Sequence, residues 1–221
     1  MALDATYVAK PISVTGGIKV APLGTVTPTD PTSVLNAAFK ELGYVNEDGL
    51  KLSHDASDDK IKVWGGVTIR TIRSDYSATI SGTLLSTLDV NVLKNVFGDS
   101  QVTEKSGVIA IKHDATVPPE KVYVIETKDA SSGGRKRYVV PKGQVSVSGD
   151  VNLSHKEITG FEITIEALAD KDGVCYYEYI ETTPASPVAA GVLGGYSPFV
   201  FPARPFFVLI FGAGAGTHFL K

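Results

Sequence analysis

The sequence GFEITIEA, residues 160–167, alternates apolar and polar side chains after its glycine. The two sets are Phe161, Ile163, Ile165 and Ala167 on one side and Glu162, Thr164 and Glu166 on the other. Successive side chains of a β-strand point to opposite faces. This period of two therefore predicts a strand with one face in a core and the other face toward water or a partner.

The same period recurs across residues 44–181. In residues 77–84, Ser and Thr alternate with apolar residues and a glycine. Residues 61–70 alternate around Gly65-Gly66, which we interpret as a bulge or bend in one long strand. Further strands are predicted at Ile18–Ala21, Val108–Lys112, Val122–Thr127, Arg135–Val140, Gln144–Ser148 and Val174–Ile180. Turn residues separate the elements at 46–49, 131–134, 141–143 and 170–173.

Two short helices are predicted beside these strands. The first begins with Asp30 as N-cap and Pro31 at the first helical position, and it ends at Gly43. The second covers Leu88–Phe97 and ends at Gly98. Eight or so strands with one or two short helices predict a mainly β fold, a β-sandwich or barrel-like domain.

The predicted domain is flanked by two extended arms. Residues 1–30 form the N-terminal arm, residues 31–181 the β-sandwich domain, and residues 182–221 an apolar arm rich in Gly, Pro and Phe. Arg204 is the single charge between residues 188 and 216, but prolines and glycines would break a membrane helix there. We therefore expect no membrane span. We expect assembly contacts from the aromatic residues of this arm, Phe199, Phe201, Phe206, Phe207 and Phe211.

Composition narrows the possible functions. The 221 residues carry 21 Lys and Arg against 24 Asp and Glu, a formal net charge of −3, which gives no basic surface for tight nucleic-acid binding. One cysteine, Cys175, excludes an intrachain disulfide and multi-cysteine metal sites. The residues after Met1 lack the basic region of a signal peptide, so we expect a protein made in the cytoplasm.

No motif indicates a catalytic, metal or cofactor site. The histidines are expected on the surface, and the segment 54–59 lacks the calcium-loop pattern, which favours a solvated turn. The glycines of 212–216 lack the lysine of a phosphate loop. Arg135–Tyr138 could contact phosphate, but a solvated hairpin flank is favoured. Cys175 lies among tyrosines and is expected to pack rather than react.

Three stretches together resemble a known family. They are residues 41–50 (ELGYVNEDGL), interpreted as a helix end with a tight hairpin, residues 60–97 with a long strand pair and a helix, and residues 160–173. Their order is similar to that of the major tail proteins, or tail-tube subunits, of long-tailed non-contractile bacteriophages. The resemblance covers roughly residues 5–181. The apolar arm after Thr182 is a departure from it.

The resemblance implies a self-assembling virion protein without cofactor. It implies that six copies form a ring and that stacked rings form a tube that delivers the genome. It also implies that one sheet of each copy lines the lumen and that arms and a long loop reach neighbouring rings. The partners that the resemblance implies are other copies, proteins at the tube ends and a tape-measure protein, while DNA is expected to pass without specific binding.

Two other classes of function remain open. A β-sandwich adhesion module would stack sugars on exposed aromatic side chains such as Trp64 and Tyr177. An enzyme on a sandwich scaffold would need a catalytic constellation, and no spacing in the sequence indicates one.

Overall fold

The structure is a computed structural model that describes residues 6–181, and the elements are numbered in chain order. The strands are β1 (Ala9–Pro11), β2 (Ile18–Pro22), β3 (Lys40–Glu41), β4 (Val45–Lys62), β5 (Thr68–Leu84), β6 (Val102–Lys105), β7 (Val108–Ile111), β8 (Lys121–Asp129), β9 (Arg135–Val147), β10 (Phe161–Ala167) and β11 (Tyr177–Ile180). Within this range the one helix is α1, Val90–Phe97.

Nine of the strands form a single antiparallel sheet. Seven run in the order β3-β2-β8-β9-β10-β5-β4, while β1 pairs with β8 and β11 pairs with β9. Strands β6 and β7 form a separate two-stranded ribbon. The sheet wraps around a core that α1 and the ribbon help to fill. The predicted mainly β, sandwich-like fold is confirmed.

The core forms where the predicted alternation is strongest. In β10 every second residue is buried, and Ile165 pairs with Ile80 of β5 and Val145 of β9. Helix α1 adds Val92 and Val96 to the same cluster. Burying an aliphatic side chain of this size contributes about 1.5–3 kcal/mol. Residues 161–167 thus form a strand of the packed region that lies between β9 and β5.

The second predicted helix is confirmed and the first is wrong. The carboxylate of Asp89 caps α1 by accepting from the amide of Asn91 at 2.7 Å. In the predicted first helix, residues 31–42 are irregular apart from β3. The carboxylate of Asp30 accepts from the amides of Thr32 and Ser33, which makes a turn instead of a helical N-cap.

A tertiary contact explains why that turn does not continue as a helix. The guanidinium of Arg137 donates hydrogen bonds to the backbone carbonyls of Asp30 and Ser33 at 2.6 and 2.8 Å. Because these carbonyls accept hydrogen bonds from a buried side chain of the sheet, they do not accept from backbone amides of a helix. The apolar residues Val34, Leu35, Ala38, Phe39 and Leu42 recur at helical spacing and predict one buried stripe on this helix. They do not share a buried face in the structure, because Val34 is 97% exposed while Leu42 is fully buried. The apolar spacing was therefore a poor guide to helix here.

Three predicted turns between strands are also wrong, and so is one predicted continuous strand. Residues 46–49 form a bulge within β4, not a hairpin, since the register shifts between Val45 and Leu50. Residues 54–59 lie in β4 rather than in a turn. Residues 141–143 lie within β9, where a register shift accommodates the proline. Gly65-Gly66 forms the turn between β4 and β5, not a bend within one strand.

Glycine explains that turn. The backbone φ of Gly65 is 109° and that of Gly66 is 87°, a region that side-chain-bearing residues seldom adopt. The amide of Gly66 donates to the carbonyl of Val63, and the amide of Val63 donates to that of Val67, which closes the hairpin. The remaining predicted turns, at 131–134 and 170–173, are present. The predicted arm and domain boundaries stay predictions; β1 and β2 both pair with β8.

Candidate assembly surfaces

Beyond an aromatic contact at its base, the outer part of the β4–β5 hairpin is not covered by the rest of the described chain. Every residue from 54 to 76 is exposed, although the strands remain paired from Ala56–Tyr76 out to Lys62–Thr68. At about 3.4 Å per residue, this outer hairpin extends about 24 Å from Ala56 to Val63. An isolated two-stranded hairpin is marginally stable in water and is stabilised by packing against another element. An uncovered hairpin of this length therefore indicates a surface that binds a partner.

The outer hairpin (residues 54–76) also exposes several large apolar side chains to solvent. Trp64 at its tip is fully exposed, and Val67 and Ile69 are 64% and 63% exposed. Exposed apolar residues are common singly, but a cluster on a projecting element marks an interaction site. The other exposed large apolar side chains of this hairpin are Ile61, Val63, Ile72 and Tyr76.

An aromatic cluster holds the base of the outer hairpin. The ring of His54 in β4 stacks on those of Tyr76 in β5 and Tyr176 before β11. The tyrosine hydroxyls lie 3.1 Å from Nδ1 and Nε2 of the imidazole, respectively. His54 is therefore exposed, as predicted, but it joins three chain segments. Burial is the main cause of the raised pKa of Tyr176.

The sheet presents a polar surface on the side away from the core, formed by β9, β10, β5 and β4. Register places its residues on one face, because Thr164 pairs with both Ser81 and Ser146, and Ser81 pairs with Lys51. This polar face is dominated by small hydroxyl side chains. Its residues are Lys51, Ser53, Asp55, Ser77, Thr79, Ser81, Thr83, Gln144, Ser146, Glu162, Thr164 and Glu166.

Charge on the polar face is sparse and mostly negative. Asp55, Glu162 and Glu166 supply carboxylates, while Lys51 supplies the one ammonium of this set. Binding to nucleic acid is driven by cations that neutralise phosphates. A face of this composition therefore offers few cations that could bind the phosphate groups of nucleic acid.

A buried ion pair fixes the irregular segment 23–39 to the other end of the sheet. Arg137 donates through Nε and Nη2 to Glu126 at 3.1 and 2.6 Å, and Lys19 donates to the same carboxylate at 2.7 Å. Burial opposes the charged carboxylate of Glu126, but Lys19 and Arg137 outweigh that effect and lower its pKa. Arg137 is thus a buried structural residue, so the prediction of a solvated flank for 135–138 is wrong for it.

The most buried charged groups beside the cavities of residues 6–181 are engaged in structural ion pairs. The open groove beside Glu126 has a volume of about 400 Å³, and of the cations that line it Lys19 and Arg137 are paired to that carboxylate. Across residues 6–181, no group of three His, Cys, Asp or Glu side chains could hold a metal ion. Cys175 is half-buried and packs against the core, as predicted.

The predicted site residues lie in different parts of the chain, and only some of them are among the described residues. Phe199, Phe201, Phe206, Phe207 and Phe211 lie outside the described residues, so their role stays a prediction. Trp64 lies at the hairpin tip, whereas Tyr177 lies in β11, where its hydroxyl donates to Asp170 at 2.8 Å. The structure does not join them in one sugar-stacking platform.

The outer hairpin and the polar face were not identified as sites from the sequence. The signal for the hairpin was present in the pair of glycines after Trp64, which we interpreted as a bend. The polar face needs the register of four strands, which no single segment encodes. In the part of the chain that is described, no helix has the length and apolarity to cross a membrane.

Comparison with known proteins gives a family match. The sequence model of a family described as "phage tail tube protein" matches residues 1–191 of the chain. The match spans every element of the described structure. No curated protein matches the sequence.

Proposed function

The chain belongs to the phage tail tube protein family, and on that premise we propose that its copies assemble into stacked rings, six copies to a ring, which form a conduit for genome delivery. The observation that carries this proposal is the outer hairpin, with its 23 consecutive exposed residues. Heterologous contacts between copies build rings and open filaments. The role is passive and requires no catalytic group.

The outer hairpin supplies contacts between copies. Its pairing is preserved to the tip although neither face is covered, and Trp64, Val67 and Ile69 expose apolar area there. Removing such area from water contributes about 25 cal/mol per Å². Docking against another copy provides that burial and also rigidifies the paired strands. A monomeric protein gains nothing from an element of this kind.

The polar face lines the lumen of the tube. Its hydroxyl groups keep the wall wetted, and Glu162 and Glu166 give it a negative charge. A wall of this composition lets DNA pass without specific binding, because few cations are present to retain phosphates. The opposite, apolar face of the same strands is occupied by the core and is not available for this purpose.

The apolar arm, residues 182–221, contributes further contacts between copies. Its five phenylalanines between residues 199 and 211 accompany a single charge, Arg204. Aromatic side chains dominate the energetics of interfaces because each buries a large area. Deletion of residues 183–221 is expected to leave a folded domain with altered polymerisation. Tubes of unchanged length and stability from the truncated chain would contradict this role.

The subunit works with other tail proteins. It is made in the host cytoplasm and becomes part of the virion tail, with other tail proteins at the tube ends and a tape-measure protein inside. These partners follow from the proposed assembly rather than from a surface described above.

Electron microscopy of the purified full chain across a concentration series tests the proposal. We expect rings or hollow tubes with a regular axial repeat. A variant with residues 56–76 replaced by a two-residue Asn-Gly turn keeps the core strands and serves as the comparison. Particles that stay monomeric for the full chain at every concentration contradict self-assembly. Equal tubes from both proteins contradict the role of the hairpin.

A further inference from the structure

Tyr176 connects the base of the outer hairpin to the body of the domain. Within residues 6–181, it is the residue outside β4 and β5 whose ring and hydroxyl contact that hairpin. Its ring centroid lies 5.6 Å from that of His54, which in turn lies 6.3 Å from the ring centroid of Tyr76. The interplanar angles are 28° and 22°, so the three rings form one stacked cluster. We name it the aromatic joint (His54, Tyr76 and Tyr176).

The aromatic joint lies where the sheet loses a strand. Ala78 of β5 pairs with Ala167, the last residue of β10, and beyond that pair β5 continues with β4 alone. After β10 the chain turns through residues 168–176 and returns as β11, which pairs with β9 rather than with β5. Tyr176 is the residue just before β11. It therefore contacts the hairpin close to the point where the strand beside β5 ends.

Hydrogen bonds hold the segment that carries Tyr176 in place. The carboxylate of Asp170 accepts from the amide of Val174 at 3.0 Å and from the hydroxyl of Tyr177 at 2.8 Å. The amide of Leu168 donates to a carbonyl of β9 at 2.8 Å. Tyr176 is itself half-buried and packs against the core. Its ring is thus a fixed point on the body of the domain, against which the hairpin can be held.

Histidine suits position 54 because its ring can stack and form two hydrogen bonds at once. Nδ1 of His54 lies 3.1 Å from the hydroxyl of Tyr76, and Nε2 lies 3.1 Å from that of Tyr176. A neutral imidazole has one donor and one acceptor nitrogen, and a tyrosine hydroxyl can donate or accept. Either tautomer therefore satisfies both contacts. Phenylalanine at this position would keep the ring contacts and lose both hydrogen bonds.

A small tilt at the joint has a large effect farther out along the hairpin. Thr71, which pairs with Lys60, lies five residues beyond Tyr76, a distance of about 17 Å along the strand. A tilt of about 20° at the base would move Thr71 by about 6 Å. Protein interfaces pack as closely as protein interiors. A displacement of this size would therefore separate surfaces that otherwise touch.

We propose that His54 is a positioning residue, which together with Tyr76 and Tyr176 fixes the direction in which the outer hairpin leaves the sheet. The use of this direction in assembly rests on the function proposed above, whereas the aromatic joint is a property of a single copy. An element that is held in its binding geometry before docking loses less conformational freedom on binding. The joint therefore favours assembly without itself supplying a contact between copies.

Spin-label distances in the full chain, below the concentration at which it assembles, test the joint. In a Cys175→Ser background, labels at Thr71→Cys and Asn91→Cys, both exposed positions, report the place of the hairpin relative to α1. We expect one narrow distribution of distances. His54→Ala should broaden it and shift its centre, because the ring contacts and both hydrogen bonds are lost. His54→Phe should restore part of the narrow distribution, because the ring contacts remain.

A matched control and a stability measurement make the result specific. Val67→Ala truncates an exposed side chain of the same hairpin beyond the label and should leave the distances unchanged. Denaturant unfolding should give similar midpoints for all variants, since His54 is exposed. Unchanged distances in His54→Ala would overturn the proposal, and so would equal broadening in Val67→Ala. Broadening that accompanies a lowered unfolding midpoint would show a general loss of structure and would also overturn it.

The concentration at which tubes form measures the use of the joint in assembly. His54→Ala should raise this concentration about three- to tenfold, and His54→Phe should raise it less. An unchanged concentration in His54→Ala, together with broadened distances, would overturn the role in assembly and leave the joint itself. Failure of the unaltered chain to form rings or tubes would overturn the proposed function, while the distances in the single copy would still decide whether the joint exists.

Discussion

Strand β5 has two halves that share one sheet and one partner strand but differ completely in burial. From residue 78 to 84, every second side chain faces the core, and Ile80 is 1% exposed. From residue 68 to 76 every side chain is exposed, and Ile69 is 63% exposed. Hydrogen bonding to β4 continues through both halves. Strand pairing alone therefore does not fix where the apolar surface is buried.

The difference follows from what lies beside the strands. Around Ile80 the sheet has β10 as a further neighbour and α1 in the same core. Beyond Ala78, β10 has ended, and β4 and β5 continue as a pair alone. The inner half is thus stabilised within one copy. The outer half acquires its cover only in the assembly that we propose, so the two halves should respond differently to mutation.

The largest expected effect is on the body of the domain. Arg137→Met removes one of the two cations that contact the buried carboxylate of Glu126 and leaves Lys19 as its one charged partner among the described residues. It also removes the hydrogen bonds from the guanidinium to the carbonyls of Asp30 and Ser33. We expect a loss of about 3–5 kcal/mol in the free energy of unfolding. Denaturant unfolding measures it, and Arg73→Met, whose ion pair with Asp58 is exposed, is the control with an expected change below about 1 kcal/mol. Similar losses in both variants would show that burial does not separate the two regions.

A truncation pair within β5 compares the two halves directly. Ile80→Ala should cost about 2–5 kcal/mol because it leaves a cavity in the core. Ile69→Ala should change the stability of the monomer by less than about 0.5 kcal/mol, since the side chain is exposed there. In assembled tubes the second substitution should become destabilising. Thermal unfolding of monomers and of tubes measures both, and an Ile69→Ala effect matching that of Ile80→Ala in monomers would contradict the comparison.

Acid should weaken the body through Glu126. Its pKa is lowered in the folded protein, so its contribution is complete above the unfolded pKa of about 4.3 and is lost as pH falls through the folded value. The free energy of unfolding should therefore decline below about pH 4.3. The variant Glu126→Gln should show a shallower decline over the same range. Identical pH profiles for the two proteins would contradict this assignment.

The smallest effect concerns the turn of the hairpin. Gly66→Ala forces a side chain into a positive φ of 87° and should cost the hairpin about 1–2 kcal/mol. A Cβ there meets no atom within 4 Å, so the strain is conformational only. Hydrogen exchange of residues 56–76 should quicken while the core amides are unchanged. In the variant, the core amides should still exchange more slowly than those of the hairpin. A uniform change in exchange rate across β5 would contradict an effect of strain confined to the turn.

The sequence predicted the parts of the fold in which one segment determines its own structure. Strand β10 and helix α1 each have a pattern that their own packing satisfies, in α1 with Asp89 as the cap. The predicted helix after Asp30 failed because Arg137, more than 100 residues away, engages the backbone of the turn. Such a contact has no local sequence signal.

The assembly surfaces were harder to predict for the same reason. The polar face exists because four strands align residues such as Lys51 and Thr164, and register is a property of the whole sheet. The outer hairpin has a strand pattern like that of the inner half, so its exposure depends on where β10 ends. The tail-tube resemblance, by contrast, rests on the order of segments along the chain, and the family match confirms it.

Hydrogen exchange on monomers and on assembled tubes shows whether the outer half of the hairpin is covered by another copy. We expect the backbone amides of residues 54–76 to exchange rapidly in the monomer and to become strongly protected in tubes. Core amides around Ile80 should be protected in both states. Rapid exchange of residues 54–76 in tubes, unchanged from the monomer, would contradict this expectation.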